Sequence, residues 1–178
     1  MDLRNSLRKN PGLLAPWRRY ERVEQIDPHE LARQGVRLVL LDRDNTLVPR
    51  DGVCAPASVQ LWLFDLASAG IDTVMVSNNF HAQAVERSAG ELGLEAIPKA
   101  CKPLPFALRR AIRLTGHRVG ETVMVGDQLF TDVVAGSLAG VRTILVAPQS
   151  TKDLWYTRIL RRVEEPLAGR VPLYSSQG

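Results

Sequence analysis

The sequence predicts an α/β protein, a three-layer α/β/α sandwich around a mainly parallel five-stranded sheet. Short apolar runs alternate with segments of helical spacing over most of the chain. Glycines follow the helical segments, as is common where a helix ends. Strands that alternate with helices imply right-handed βαβ crossovers and a parallel sheet covered on both faces. The 178 residues are enough for one domain with a single core.

Five apolar runs are the predicted strands. The first is almost entirely apolar, which is typical of a parallel strand buried on both faces. The second and the fourth share the four residues TVMV, and the fifth reads RTILV. In chain order, the predicted strands are 36–41, 73–76, 94–97, 122–125 and 142–146.

Helical segments lie between and around these runs. The first has Asp27 as its N-cap and Pro28 at the first helical position, and it ends at Gly35. The fourth opens at Pro103, directly after Lys102. In chain order, the predicted helices are 27–34, 56–69, 81–92, 103–115, 132–138 and 151–163.

Composition and charge narrow the class of protein. The chain is 45% hydrophobic and 24% charged, as in ordinary globular proteins. Its formal charge of +4 is a mild excess, and the basic residues gather near the two ends rather than in one stripe. We therefore expect no nucleic-acid binding. The basic ends would meet phosphates or an anionic membrane, or they are solvated surface.

The two cysteines, Cys54 and Cys101, form no zinc motif and no disulfide framework, which favours a reducing cytoplasm. No segment has the character of a signal peptide or of a membrane-spanning helix. We expect a cytoplasmic protein, with peripheral contact at the inner face of the membrane as an option. We divide the chain into a basic strap (1–26), a main α/β domain (27–166) and a tail (167–178).

Four polar clusters follow predicted strands or open a predicted helix. Ligands of parallel sheets bind beyond the carboxyl ends of the strands, so these clusters are expected to meet at one edge. Each alone has an ordinary explanation, such as a strand-end cap or a turn. Their joint placement favours a functional site. The clusters are Asp42-Arg43-Asp44-Asn45-Thr46, Ser77-Asn78-Asn79, Lys102-Pro103 and the segment GDQLFTD at 126–132.

The order DxDxT, S-N, K-P and GDxxxxD resembles the haloacid dehalogenase (HAD) superfamily, phosphatases with an aspartate nucleophile and a Rossmann-like fold. The finer pattern is similar to the YqeG-type subfamily of subclass IIIA, which also resembles mitochondrial phosphatidylglycerophosphate phosphatase. That pattern includes DNTLV at 44–48, GDQLFTDV at 126–133 and TILV at 143–146. Gly136-Ser137 departs from it, because the subfamily has Gly-Asn there.

The resemblance implies that Asp42 is the nucleophile, that it forms an aspartyl-phosphate and that it binds Mg²⁺. An anionic phosphate monoester repels a carboxylate, and a bound cation would neutralise both. Asp44 would protonate the leaving oxygen and then deprotonate the hydrolytic water. Its main-chain carbonyl would be a second metal ligand. Asp127, after Gly126, would supply a further ligand, as Mg²⁺ prefers oxygen.

Four further residues complete the predicted phosphate site. Thr46 would hydrogen-bond within the loop and hold the two acids in register, or it would cap a helix. The hydroxyl of Ser77 and the main-chain N–H of Asn78 would donate to the phosphoryl oxygens, with Asn79 in support. A serine–asparagine pair after a strand is otherwise a common turn.

For three charged residues, the sequence offers a competing residue or more than one role. Lys102, rather than nearby Lys99, would neutralise the phosphoryl charge and the Asp42 carboxylate. Asp132 would orient Lys102 or hold a metal-bound water, and it can cap a helix at the same time. Arg43 replaces an apolar residue of the subfamily. It would either meet a substrate phosphate or pair with an acid.

Neither of the gaps between the motifs has room for a cap domain. The stretches from Asp44 to Ser77 and from Asn79 to Lys102 each fit one helix and one strand. The predicted site is therefore open. An open site suits a phosphate on a large molecule, or it requires a second chain to close it.

The subfamily resemblance implies phosphatidylglycerophosphate, a lipid, as the substrate. The basic segment 13–19 would dock on anionic lipid, and Trp155 and Tyr156 would do likewise, unless these residues pack as ordinary core contacts. Two other readings stay open: a phosphatase for a soluble sugar or nucleotide phosphate, and a scaffold that partners ribosome-assembly machinery. Loss of Asp42 or Asp127 would favour the scaffold, and both are present. The oligomeric state is open.

Overall fold

Six parallel strands form one sheet in the computed structural model, which describes residues 12–50, 52, 54–150 and 172–174. They are β1 Arg18–Tyr20, β2 Leu38–Leu41, β3 Asp72–Val76, β4 Glu95–Ile97, β5 Thr122–Gly126 and β6 Arg142–Val146. Their spatial order is β1-β6-β5-β2-β3-β4, and each neighbouring pair is parallel. The predicted fold class is confirmed, with one strand more than expected.

Five α-helices within the described ranges connect the strands. They are α1 Pro28–Arg33, α2 Ala57–Ser68, α3 Ala82–Glu91, α4 Phe106–Thr115 and α5 Val134–Ala139. Asp27 caps α1, because its carboxylate accepts a hydrogen bond of 2.8 Å from the N–H of His29. α4 and α5 end at Gly116 and Gly140, both in the left-handed conformation.

The sheet is covered on both faces because side chains along each strand alternate between two cores. Val39 and Leu41 of β2 pack in a core with α1, α2 and α3. Leu38 and Leu40 pack in the opposite core, with α4 and α5. The protein is thus a three-layer α/β/α sandwich. The stretches between β2 and Lys102 hold only α2, β3, α3, β4 and loops in their described part, so no cap domain is inserted there.

The additional strand, β1, lies in the segment predicted to be an irregular strap. It pairs with β6 at the edge of the sheet. Two arginines among its three residues conceal it from a search for apolar runs. Arg18 is nevertheless buried, because its guanidinium stacks on Trp17 at 4.2 Å and on Tyr174 at 3.9 Å. The same guanidinium pairs with Glu30 at 2.7 Å.

Two helix boundaries differ from the prediction. α4 begins at Phe106 rather than at Pro103, so Lys102 belongs to a loop. The segment 129–133 forms one π-helical turn before α5. The helix predicted at 151–163 lies outside the described residues, and the domain boundaries at 26 and 166 stay predictions. No helix among the described residues is long and apolar enough to cross a membrane.

The chain order creates a switch point between β2 and β5. From β2 the chain winds outward to β3 and β4, and it then returns across the sheet to β5 and β6. Crossovers that leave in opposite directions open a crevice beyond the carboxyl ends of the two central strands. Asp42 follows β2 and Asp127 follows β5, so the fold places both carboxylates at this crevice.

Gly136 lets α5 approach the sheet closely. A Cβ atom there would lie 2.3 Å from Thr143 Cγ2 and 3.2 Å from Met124 Cβ. We expect Gly136→Ala to lower the free energy of unfolding by about 1–3 kcal/mol, measured by urea denaturation. Gly90→Ala is the matched control, because a Cβ at this helical position meets nothing within 4 Å. Equal losses in the two variants would contradict this account.

Candidate active site

A tight loop follows β2 and presents the predicted nucleophile. The N–H of Asp42 donates to the carbonyl of Val125 at 2.9 Å, which ties this residue to β5. Asn45 adopts the left-handed conformation, with φ of 62°, which asparagine tolerates better than most residues. Its N–H donates to the carbonyl of Val48 at 2.8 Å, and the N–H of Val48 donates back across the loop to the carbonyl of Arg43. The loop is therefore held by its own backbone.

Asn45 and Gln149, rather than Thr46, supply the polar contacts that brace this loop. The side-chain oxygen of Asn45 accepts from the N–H of Arg50 at 3.0 Å, and its carbonyl accepts from the N–H of Gln149 at 3.0 Å. The amide of Gln149 also donates to the carbonyl of Thr46. The expected hydrogen bond of the Thr46 hydroxyl is not formed. That oxygen is buried without a hydrogen-bond partner among the described residues.

Lys102 reaches the centre of the site from a different loop. Its ammonium nitrogen lies 2.6 Å from Asp42 Oδ1 and 2.7 Å from Asp132 Oδ1. The side chain of Lys102 is only 1% exposed, whereas Lys99 is exposed. The ammonium of Lys102 is thus the one in contact with Asp42. Asp132 orients Lys102, as one of its two predicted arrangements requires.

These buried charges perturb one another. The pKa of Asp42 is raised to about 7: burial is the largest cause, Lys102 opposes it, and the neighbouring carboxylate of Asp132 adds to it. Burial alone would lower the pKa of Lys102, but the carboxylates of Asp132 and Asp42 raise it above the ordinary lysine value. Lys102 is therefore positively charged throughout the neutral range. It favours the ionised form of the nucleophile.

The Ser77–Asn79 loop holds Lys102 in place. The side-chain oxygen of Asn78 accepts from the N–H of Lys102 at 2.7 Å, and its amide donates to the carbonyl of Lys102 at 2.9 Å. The carbonyl of Ser77 accepts from the N–H of Ala100 at 2.9 Å. The hydroxyl of Ser77, which is buried, accepts from the N–H of Asn79 at 3.1 Å. The side chain of Asn78 therefore positions Lys102. This role is separate from the phosphate contact that is predicted for the main-chain N–H of Asn78.

Gly126 explains how Asp132 enters the site. A Cβ atom at Gly126 would lie 2.3 Å from the carboxyl group of Asp132, so a side chain there would displace that group. The second carboxylate oxygen of Asp132 accepts from the N–H of Gln128 at 3.1 Å. Asp132 thus stabilises the turn after β5 and contacts Lys102 at the same time.

Three buried carboxylates converge at this point. One oxygen from each of Asp42, Asp127 and Asp132 lies within 4.8 Å of the others. Buried oxygen donors of this kind fit Mg²⁺, which prefers carboxylate and carbonyl ligands. Asp42 and Asp127 are two of the predicted ligands. The third predicted ligand is the main-chain carbonyl of Asp44, whose side chain does not belong to this group.

Arg43 pairs with an acid, which was one of its two predicted arrangements. Its guanidinium forms an ion pair with the carboxylate of Asp44, the predicted acid and base. The side chain of Asp44 is 26% exposed, in contrast to the buried side chain of Asp42. Asp44 therefore stands at the entrance of the site, where it can meet a leaving group.

The site opens into a cleft of about 650 Å³. Its wall also contains residues to which the sequence pattern assigned no role: five lie outside the four polar clusters, and Gln128 and Thr131 occupy variable positions of the GDxxxxD motif. The additional lining residues are Pro49, Arg50, Gly52, Phe80, His81, Gln128 and Thr131.

Comparison with known proteins gives the family. A model of the HAD-hydrolase-like family matches residues 99–164. The probable phosphatase YqeG of Bacillus subtilis is 37% identical over 139 residues, which cover 78% of this chain and 80% of the relative. The chloroplastic and mitochondrial phosphatidylglycerophosphate phosphatase 1 of Arabidopsis thaliana is 30% identical over 164 residues. That match covers 82% of this chain but only 44% of the plant protein.

A solved structure supports the fold. The cobalt-bound deoxy-D-mannose-octulosonate 8-phosphate phosphatase of Haemophilus influenzae is 15% identical, with a TM-score of 0.51 over 75% of this chain and 87% of the other. A shorter match joins this chain to the 5'-nucleotidase YutF of Bacillus subtilis, with 45% identity over 51 residues, or 29% of this chain and 20% of the relative. From the close YqeG match, this chain belongs to the HAD-like phosphatases and is a phosphoric monoester hydrolase.

Proposed function

We propose that the chain hydrolyses phosphate monoesters with the help of Mg²⁺ and through an aspartyl-phosphate on Asp42. The observation that carries the proposal is the position of Asp42 at the base of an open cleft. Its Oδ1 is held 2.6 Å from the ammonium of Lys102, and Asp127 and Asp132 stand beside it. The other carboxylate oxygen of Asp42 is then available for attack on phosphorus.

The reaction has two balanced steps. In the first, Asp42 forms a bond to phosphorus, the bond from phosphorus to the ester oxygen breaks, and Asp44 gives that oxygen its proton. In the second, Asp44 removes a proton from a water molecule whose oxygen attacks phosphorus, the bond from phosphorus to the Asp42 oxygen breaks, and inorganic phosphate leaves with the Asp42 carboxylate restored. Lys102 stabilises negative charge in both steps. Asp42, Asp127 and the Asp44 carbonyl would hold Mg²⁺, which would supply further positive charge to the phosphoryl oxygens.

Ser77 and Asn78 complete the proposed phosphoryl site, with Asn79 as a supporting residue. The hydroxyl of Ser77 accepts from the N–H of Asn79, so its own proton is directed elsewhere and can be donated to a phosphoryl oxygen. Asn78 keeps its side chain on the backbone of Lys102, which leaves its main-chain N–H for the proposed phosphate contact. Thr46 has a packing role in this scheme.

For the substrate we propose phosphatidylglycerophosphate. The similarity to the plant phosphatidylglycerophosphate phosphatase supports this substrate, and the cleft without a cap leaves space for a head group. The second candidate is a soluble nucleotide or sugar phosphate, favoured by the short match to a 5'-nucleotidase. Cys54 and Cys101 are free and exposed, which supports a location in the reducing cytoplasm.

For membrane contact we propose the rim of the cleft instead of the segment 13–19. In that segment, Trp17 is half-buried under two arginines and packs against the core, so little of its apolar surface can insert into a bilayer. Phe80 lines the cleft and is 74% exposed, and Leu104 and Phe106, which follow the cleft residue Lys102 in the chain, are 49% and 67% exposed. Exposed arginines of α4 follow directly, and this combination suits an anionic lipid surface. Trp155 and Tyr156 lie outside the described residues.

Asp42→Asn is the direct test of the nucleophile. We expect Mg²⁺-dependent release of phosphate to fall by at least about 1000-fold, because an amide cannot form the acyl phosphate. Rapid quenching of the wild-type chain followed by peptide mass spectrometry should find the phosphoryl group on Asp42. Asp65→Asn, at an exposed position on α2, serves as the control. Retention of a tenth of the activity by Asp42→Asn would rule out this nucleophile.

Thermal unfolding tests the effect of the Asp42 charge and the position of the Mg²⁺ site without an activity assay. The pKa of Asp42 is about 7 in the folded chain and 3.8 in the unfolded chain. The free energy of unfolding therefore falls as the pH rises from 3.8 to about 7, and the full loss is present above pH 7. Without metal, we expect Asp42→Asn to raise Tm by about 5 °C or more at pH 8 and by less at pH 5. Mg²⁺ should raise the Tm of the wild type but not of Asp127→Asn. Equal responses to Mg²⁺ would place the metal elsewhere.

Vesicle binding tests the proposed membrane contact. We expect the chain to sediment with vesicles that contain phosphatidylglycerol and to bind phosphatidylcholine vesicles at least about tenfold more weakly, because the rim is basic. Phe106→Ser should reduce binding to the anionic vesicles. Phe64→Ser is the matched control, since Phe64 is 70% exposed on α2, at the opposite face of the sheet. Equal losses in the two variants would contradict a contact at the rim.

A further inference from the structure

Two arginines in the cleft have donors with no described partner. The Nε atoms of Arg43 and Arg50 are buried and make no hydrogen bond to any residue in the described ranges. Leaving such a donor unsatisfied costs free energy, and more so for a charged group. Both guanidinium groups line the same cleft as Asp42. Each of the two cleft-lining guanidinium groups therefore keeps hydrogen-bonding capacity that no described residue uses.

We propose that Arg43 and Arg50 form a second anion subsite, which selects substrates that carry a phosphodiester or a second phosphate beside the phosphate monoester. The inference rests on the proposed phosphatase function and names the class of its substrate. A planar guanidinium donates two parallel hydrogen bonds to a phosphate group, which makes arginine suited to this task.

The nucleophile loop fixes the position of this subsite relative to the reacting group. Arg43 is the neighbour of Asp42 in the chain, and the N–H of Arg50 is bonded to the side chain of Asn45 at 3.0 Å. One rigid loop therefore carries the nucleophile and both guanidinium groups. The cleft of about 650 Å³ is in the range that holds whole organic ligands, so it has room for more than one phosphoryl group.

The charges of the two arginines differ in how they are balanced. Arg43 is paired with Asp44, whereas Arg50 forms no ion pair with any described residue. Arg50 thus supplies uncompensated positive charge to the wall of the cleft. An anionic group bound there competes with Asp44 for Arg43, and Asp44 is then released toward the leaving oxygen. Arg50 therefore increases the affinity for the substrate. Arg43 increases the affinity as well, and it also affects the rate of the chemical step through Asp44.

Matched substrates test the subsite. Glycerophosphoglycerophosphate, the deacylated lipid head group, carries a monoester and a phosphodiester, while glycerol 3-phosphate carries the monoester alone. We expect kcat/KM to be higher for the first substrate, and Arg50→Gln to lower the ratio of the two values by about tenfold or more. Arg50→Lys should retain part of the preference. Arg33→Gln, at an exposed position on α1, should keep the wild-type ratio.

A second substrate pair identifies the source of the anion. If the preference for fructose 1,6-bisphosphate over fructose 6-phosphate falls equally in Arg50→Gln, the subsite reads any second phosphate. If Arg50→Gln lowers the preference only for glycerophosphoglycerophosphate over glycerol 3-phosphate, the subsite recognises the phosphodiester. Either result supports the subsite. Unchanged ratios for both pairs in Arg50→Gln and Arg43→Gln would overturn it, and the phosphatase proposal would stand.

Binding without turnover separates this inference from the proposed reaction. Glycerophosphoglycerol contains the phosphodiester alone, and calorimetry measures its Kd even if the chain hydrolyses none of the substrates above. We expect the Kd to rise by about tenfold in Arg50→Gln, in a chain whose urea midpoint is unchanged. The same Kd in the wild type and Arg50→Gln would refute the subsite. Hydrolysis that does not depend on Asp42 would instead refute the proposed function.

Discussion

The buried ammonium of Lys102 is the interaction on which the candidate site depends. It contacts Asp42 at 2.6 Å and Asp132 at 2.7 Å, in a place where all three side chains are nearly inaccessible to water. Carboxylates that approach so closely repel one another, and their desolvation adds a further cost. Lys102 offsets both effects. The arrangement of the nucleophile and of Asp132 therefore depends on the same ammonium group.

The placement of Lys102 shows what a sequence pattern cannot supply. The lysine–proline pair indicated which lysine to choose, but it suggested a helix start, and α4 begins only at Phe106. What positions the lysine is a pair of hydrogen bonds between its main chain and the side chain of Asn78, 24 residues earlier in the chain. Contacts between two loops leave no periodicity, so nothing in the spacing predicts them. The role of Thr46 was misjudged for the same reason, since Asn45 and Gln149 brace the loop.

The fold could be predicted better than the contacts within the site, because buried strands and helices leave a hydrophobic pattern in the sequence. Strands covered on both faces read as apolar runs, and glycines mark the helix ends, so five strands and their order along the chain could be predicted. β1 escaped because its buried residue is an arginine. Arg18 is stabilised by stacking on Trp17 and Tyr174, and Tyr174 belongs to the far end of the chain. Such burial depends on partners that only the folded chain brings together.

The charges of the site explain why a cation and a phosphate are expected to bind together. Asp42, Asp127 and Asp132 oppose the single positive charge of Lys102, which leaves two net negative charges when all are ionised. An anionic phosphate would be repelled from such a site. A divalent cation restores neutrality, so its binding must strengthen the binding of the phosphate, and by linkage the phosphate must strengthen that of the cation. Arg43 and Arg50 stand on the cleft wall, where they attract the rest of an anionic substrate and add nothing to the crowding around Asp42.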